Sequence, residues 1–168
     1  MSPEADVTPP ADALPFAKLL TDWEGVRRMA LGLLEPVETT AALRIPPGGK
    51  NHLHWHLGHL LTSQDYVLQT RAGLPSGLPR GMWAYFRIGS SPDAYDSLAP
   101  DWDDLLALAR HQSRDFPGRY LNRVGQTLVK PLRLMNISMT TVGEAIPFLL
   151  AHEAEHLSRI KSLAAGGA

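Results

Sequence analysis

The sequence predicts an all-α protein, a four-helix bundle with a long loop between the second and third helices. Three observations predict it. Four stretches carry apolar residues at helical spacing, strand-like alternation is scarce, and a Gly/Pro-rich stretch divides the chain in its middle. A chain of 168 residues with 44% hydrophobic side chains can build one substantial core without staples. Residues 12–165 read as one domain, preceded by a loose proline-rich arm over residues 1–11.

In the first helix Asp12 is the expected cap, with Pro15 tolerated in the opening turn. Phe16, Leu19, Leu20, Trp23, Val26, Ala30, Leu33 and Leu34 then keep helical spacing until Pro36 ends the run. After the loop "RIPPGGK", Asn51 is the expected cap of a second helix reaching about Arg71. Residues 73–100 are rich in Gly, Pro and Ser and hold Trp83, Tyr85 and Phe86. A connection this long is usually functional or ordered by packing. Asp101 starts a third helix, "DWDDLLALARHQSRDF", with Trp102, Leu105, Leu106 and Ala109 on one face and Pro117-Gly118 at its end. In "QTLVKPLRLMNISM" the Leu132/Leu134 alternation allows a short extended piece, while Pro131 argues against a central strand. Thr141 and Glu144 form a capping box for the last helix, in which Pro147 predicts a kink or an irregular first turn.

Composition narrows the function. The 16 basic and 17 acidic side chains are well mixed, so neither nucleic acid nor an anionic membrane surface is an expected partner. No 18-residue apolar run is present, and no membrane span is expected. The start "MSPEADVTPPADA" lacks the pattern of a secretory signal, which predicts a cytoplasmic protein. Cysteine is absent, so any metal must be held by His, Asp or Glu.

His152-Glu153-Ala154-Glu155-His156 spells H-E-x-x-H, the helix signature of zinc peptidases. Two histidines four apart on a helix point the same way and can share one metal. A peptidase needs a third ligand, normally downstream, yet "LSRIKSLAAGGA" offers no His, Asp or Glu. No substrate-aligning strand is evident upstream either, so the peptidase reading is set aside. The plain alternative is a core stripe of Ala145, Phe148, Leu149, His152, His156, Ile160 and Leu163. The second helix shifts that balance. His52, His56 and His59 share a face there, and packing alone explains poorly so many imidazoles on an inner face. His52 and His54, near the helix start, read as solvated.

Two segments together, "PPGGKNHLHWHLGHLLTSQDYVL" and "TTVGEAIPFLLAHEAEHLSRI", resemble the DinB/YfiT-like four-helix-bundle metalloproteins. The resemblance runs from about residue 15 to 163 and rests on a histidine in a W-x-L-G-H-L segment followed by a late H-x-x-x-H helix. It implies an up-down-down-up helix order, with residues 73–100 as the long connection. It also implies that His59, His152 and His156 bind one divalent metal: zinc, nickel, iron or manganese. Characterised members include transferases and isomerases that use bacterial low-molecular-weight thiols, and the family name comes from a DNA-damage-inducible member. The expected function is therefore a metal-dependent thiol S-transferase or hydrolase acting on a small molecule. The alternative is a non-catalytic metal-binding or stress-related bundle that forms a homodimer.

Three neutral imidazoles would leave an ion's charge uncompensated and one position open, a catalytic arrangement. Water or thiol bound there would ionise near neutrality, and a thiol would have to come from outside the chain. Glu153 and His56 are the candidate catalytic residues. Glu153 lies about 100° round the helix from His152, which suits a supporting or a solvated role equally. His56 suits a fourth ligand, a proton shuttle or a rim residue. Glu155 is expected to pair with Arg159 on the surface. Trp55 and Tyr66 flank the His59 face, and Trp83, Tyr85 and Phe86 are either a cover for the metal or ordinary core. Asn51, Ser63, Gln64 and Asp65 are the nearby hydrogen-bonding groups for the ligands' second nitrogens. His111 reads as a solvated or capped histidine.

Overall fold

The computed structural model describes residues 13–134 and 136–166. Its elements are α1 (Leu14–Leu34), α2 (Thr39–Ala42), α3 (Leu53–Leu68), α4 (Met82–Phe86), α5 (Trp102–Gln112), α6 (Phe116–Tyr120), β1 (Thr127–Leu134), β2 (Ile137–Thr141) and α7 (Val142–Ala164). Four of the helices are long: α1, α3, α5 and α7. Each of α1 and α3 packs against both α5 and α7. The arm over residues 1–11 and the Asp12 cap lie outside the described residues. No helix among the described residues is long and apolar enough to cross a membrane.

α3 is buried on nearly every side, which marks it as the central helix. His52, not Asn51, is its cap: the ring Nδ1 accepts the Trp55 backbone N–H at 3.0 Å. An imidazole lone pair thus replaces the usual carbonyl or hydroxyl oxygen. Gly58 in the next turn is required by close packing. A Cβ there would stand 2.3 Å from the Phe86 ring, so only glycine lets α4 lie flat on α3.

α5 ends at Gln112, four residues before the sequence suggests. Asp115 takes a left-handed conformation (φ 54°) and starts a separate short helix, its carboxylate accepting the Gly118 N–H at 2.9 Å. Pro117 sits in the opening turn of α6, where its missing N–H costs nothing. The ambiguous segment is a β-hairpin, with β1 antiparallel to β2. A sheet of two strands has only edges, so Pro131 is tolerated, and the register shifts between Thr127 and Leu132. The hairpin delivers the chain into α7. The Thr141–Glu144 capping box forms, and the N–H groups of Val142 and Gly143 donate to the carbonyls of Gln126 and Val124. With its first turn held so firmly, α7 runs unbroken through Pro147 instead of starting irregularly.

Two apolar cores fill the interior. One gathers Trp55, Leu57, Phe86, Trp102, Ala109 and Leu157, and the other Trp23, Leu68, Phe116, Tyr120 and Leu149. Between them lies a polar layer with one member from each long helix: Arg27, Gln64, Gln112 and Glu153. Arg27 is fully buried and donates to Glu153, to Gln112 Oε1 at 3.1 Å and to Gln64 Oε1 at 3.1 Å. Trp23 Nε1–H also donates to Glu153. Gln64 and Gln112 complete their bonding through the Tyr120 hydroxyl and the Leu61 carbonyl. Each of these four side chains therefore has its partners inside the layer or beside it, which is the condition for burying it.

Candidate metal centre

α3 and α7 pack side by side and bring His59, His152 and His156 together. Each offers a ring nitrogen, and these atoms lie within 4.8 Å of one another. His59 Nε2 is 3.1 Å from His152 Nε2, and the His152 and His156 rings are 4.6 Å apart between centres. His59 and His156 are buried, while His152 is partly open to solvent. The two residues of the H-x-x-x-H pair and the one from W-x-L-G-H-L thus converge, although about a hundred residues separate them in sequence.

The second nitrogens decide how these rings are used. His59 Nδ1 lies 2.7 Å from the Phe86 carbonyl oxygen. A carbonyl only accepts, so Nδ1 carries the proton and Nε2 keeps a lone pair turned toward His152. His156 Nδ1 lies 2.9 Å from His56 Nδ1, which leaves Nε2 of His156 for the cluster. Neither partner is among Asn51, Ser63, Gln64 and Asp65. Gln64 belongs to the polar layer, and Asp65 accepts from Ser76 and Gly77. The Phe86 contact had no sequence signal, because a backbone carbonyl in a loop-borne helix leaves no mark on residue type. His56 did leave one, being one turn from His59 on the same face.

Burial strips the cationic form of its hydration and lowers every one of these histidines. His156 is pushed down to about 2, with His152, His59 and His56 adding repulsion. His152 falls to about 4 through burial and then His59. His56 also falls to about 4, through burial and then Arg159. His59 is lowered by burial, partly opposed by the Phe86 carbonyl. At neutral pH the cluster is a set of uncharged imidazoles with lone pairs available.

The residues fit a divalent transition metal. Two imidazole nitrogens 3.1 Å apart have the separation they keep when each sits about 2.0–2.1 Å from one ion. An all-nitrogen donor set suits zinc, nickel, copper or iron better than magnesium or calcium. The other histidines correct the sequence reading. His52 and His54 are buried, not solvated. His52 caps α3, and His54 Nε2 bonds the Pro100 carbonyl at 2.8 Å. His111 is exposed, as expected.

Glu153 is not solvated. Only 2% exposed, it has one carboxylate oxygen against Arg27 Nε and the other against Trp23 and Arg27 Nη2. α7 therefore turns Glu153 to the polar layer and His152 and His156 to α3. Glu155 and Arg159 form the expected surface pair at 2.5 Å.

Trp55 stacks on His59, with centroids 4.6 Å apart and planes 10° from parallel, and its Nε1–H donates to Ser90. Of the loop aromatics only Phe86 reaches the cluster, through its carbonyl. Trp83 stacks on Tyr66 away from the histidines, and the Tyr85 hydroxyl donates to Asp96.

A family model for the DinB superfamily matches residues 22–160. The chain belongs to the DinB superfamily. The match takes in α3 and most of α7, and so all three histidines. Comparison with curated proteins gives no match. Membership agrees with a histidine cluster able to hold a metal ion, which DinB proteins are known to bind.

Proposed function

We propose that this DinB protein is a metal-dependent enzyme of the thiol S-transferase or hydrolase type, with a divalent transition metal held by His59, His152 and His156. One observation carries the reading: three uncharged imidazoles from two helices converge, and two of them have their second nitrogens held. An ion there supplies Lewis acidity, lowering the pKa of a water or thiol brought to it. The chain's own residues do the rest. Phe86 and His56 orient two rings, Trp55 lies flat on His59, and partly exposed His152 stands on the side where a small molecule can enter. The chain has no cysteine, so a reacting thiol arrives as substrate.

A peptidase role is not part of this proposal. The glutamate that would polarise water has both oxygens engaged by Arg27 and Trp23, and the third histidine comes from upstream. The hairpin before α7 meets the chain at the start of that helix, well before His152. The reading includes the up-down-down-up bundle over one domain of residues 12–165. It is supported by α1 and α7 passing from the Trp23 core to the Trp55 core, while α3 passes the other way and α5 runs from the Trp55 core to the polar layer.

Elemental analysis of protein purified without chelators tests the proposal. The expected result is about one divalent transition metal per chain, absent from a His59→Ala variant that keeps its helical circular dichroism. Wild-type protein that takes up no zinc, nickel, iron or manganese at about pH 8 would overturn it, because the imidazoles are then neutral. On metal-loaded protein, conjugation of small thiols to electrophiles, run beside ester hydrolysis, separates transferase from hydrolase.

A further inference from the structure

A cavity of about 540 Å³ opens beside α3 and α4, and none of the three clustered histidines lines it. This volume suits a small organic molecule. Its walls include Tyr66, Leu78, Met82 and Trp83, with Arg80 and Asp65 as the charged members. Trp83 is 40% exposed, an unusual state for the largest apolar side chain. It is nonetheless held in place by stacking on Tyr66 at 4.4 Å, and the Arg71 guanidinium lies 4.9 Å over the other ring.

The two charges differ in availability. Asp65 is buried, and its oxygens accept from the Ser76 hydroxyl and the Gly77 N–H, both at 2.7 Å. That carboxylate stitches the loop that forms the cavity wall. Arg80 is exposed and, among the described residues, has no hydrogen-bond or ion-pair partner. We infer that this cavity is a binding site for a small aromatic carboxylate, its ring against Trp83 and Met82 and its anionic end on Arg80. A guanidinium pairs with a carboxylate through two parallel hydrogen bonds, and the aromatic shelf supplies the apolar area.

The inference goes beyond the metal reading and does not rest on it. The two sites still share a support, since α4 gives Met82 and Trp83 to the cavity and the Phe86 carbonyl to His59.

The test is titration of the full chain, with and without added zinc, using 1-naphthoate and the uncharged 1-naphthalenemethanol. Calorimetry reads affinity and the tryptophan indole N–H signals in ¹H–¹⁵N spectra read place. Trp23, Trp55 and Trp102 donate their indole N–H inside the protein, to Glu153, Ser90 and the Val37 carbonyl. The Trp83 signal, assigned with Trp83→Phe, should therefore move first. Naphthoate should bind about tenfold more tightly than the alcohol, and Arg80→Gln should erase that difference. Arg80 and Trp83 are exposed, so neither change threatens folding. Equal affinity for the two probes, unchanged naphthoate binding in Arg80→Gln, shifts confined to the other indoles, or no binding of either probe would each overturn the assignment.

Discussion

Three histidines near the site each put a ring nitrogen to a specific task. His59 donates its Nδ1–H to the Phe86 carbonyl, His156 is paired with His56, and His52 uses its lone pair to cap α3. His56 thus acts on the cluster through His156. His56→Ala should lower metal affinity by about 10–100-fold without abolishing binding, as loss of an outer partner does elsewhere. Competition with a chromogenic chelator measures this, and His59→Ala provides the full loss for comparison. Protonation gives a second prediction at this scale. Burial, and then His54, lower His52 from 6.5 to about 4, and burial also lowers His54. Above about pH 6.5 both folded and unfolded chains hold these rings neutral, and the folded state keeps its full stability. Below it the unfolded chain takes protons that the folded chain refuses, so stability falls as pH falls toward 4. Each such ring adds a slope of about 1.4 kcal/mol per pH unit. Urea denaturation of metal-free protein between pH 7 and 5 should show the midpoint dropping. A midpoint that holds steady would mean these rings titrate normally.

Among the elements, α4 is the smallest that matters. It is five residues long, and no isolated helix of that length is stable. Its position comes from α3, where Gly58 leaves room for the Phe86 ring. Gly58→Ala improves intrinsic helix propensity by about 1 kcal/mol, yet it drives a methyl into that ring. The clash should win, costing about 1–3 kcal/mol of stability. Because Phe86 also orients His59, the same variant should bind metal more weakly. Thermal melts and metal titration on one preparation check both effects. A variant more stable than wild type would show that α4 simply slides away at no cost.

Across the whole molecule, the polar layer does what neither core can. Two apolar cores could slip along the helix axes at little cost, whereas Arg27 must meet Glu153, Gln64 and Gln112 at one level. That sets the height of α7 against α3, and so the height at which His152 and His156 meet His59. Removing one charge leaves the other buried and alone. Glu153→Leu or Arg27→Met should each cost about 3–5 kcal/mol, while the two together should recover much of the loss. Denaturant titrations of the three variants measure the coupling. Additive losses would mean that the pair does not act as a unit.

Local pattern alone reached the helical class, the four long helices and the pairing of His152 with His156 on one face, because helical periodicity and i, i+4 spacing are written in neighbouring residues. His59 was reached through a motif resemblance. Arg27 was also legible, though unread: it stands seven residues from both Leu20 and Leu34, on the buried face of α1. Tertiary structure alone decided which groups meet. That the ring opposite His156 is His56, that a loop carbonyl holds His59, that Glu153 faces an arginine instead of the histidines and that His52 caps a helix all depend on how separate segments pack. Packing is selected by the summed burial of the whole chain, and no short window of sequence contains that sum.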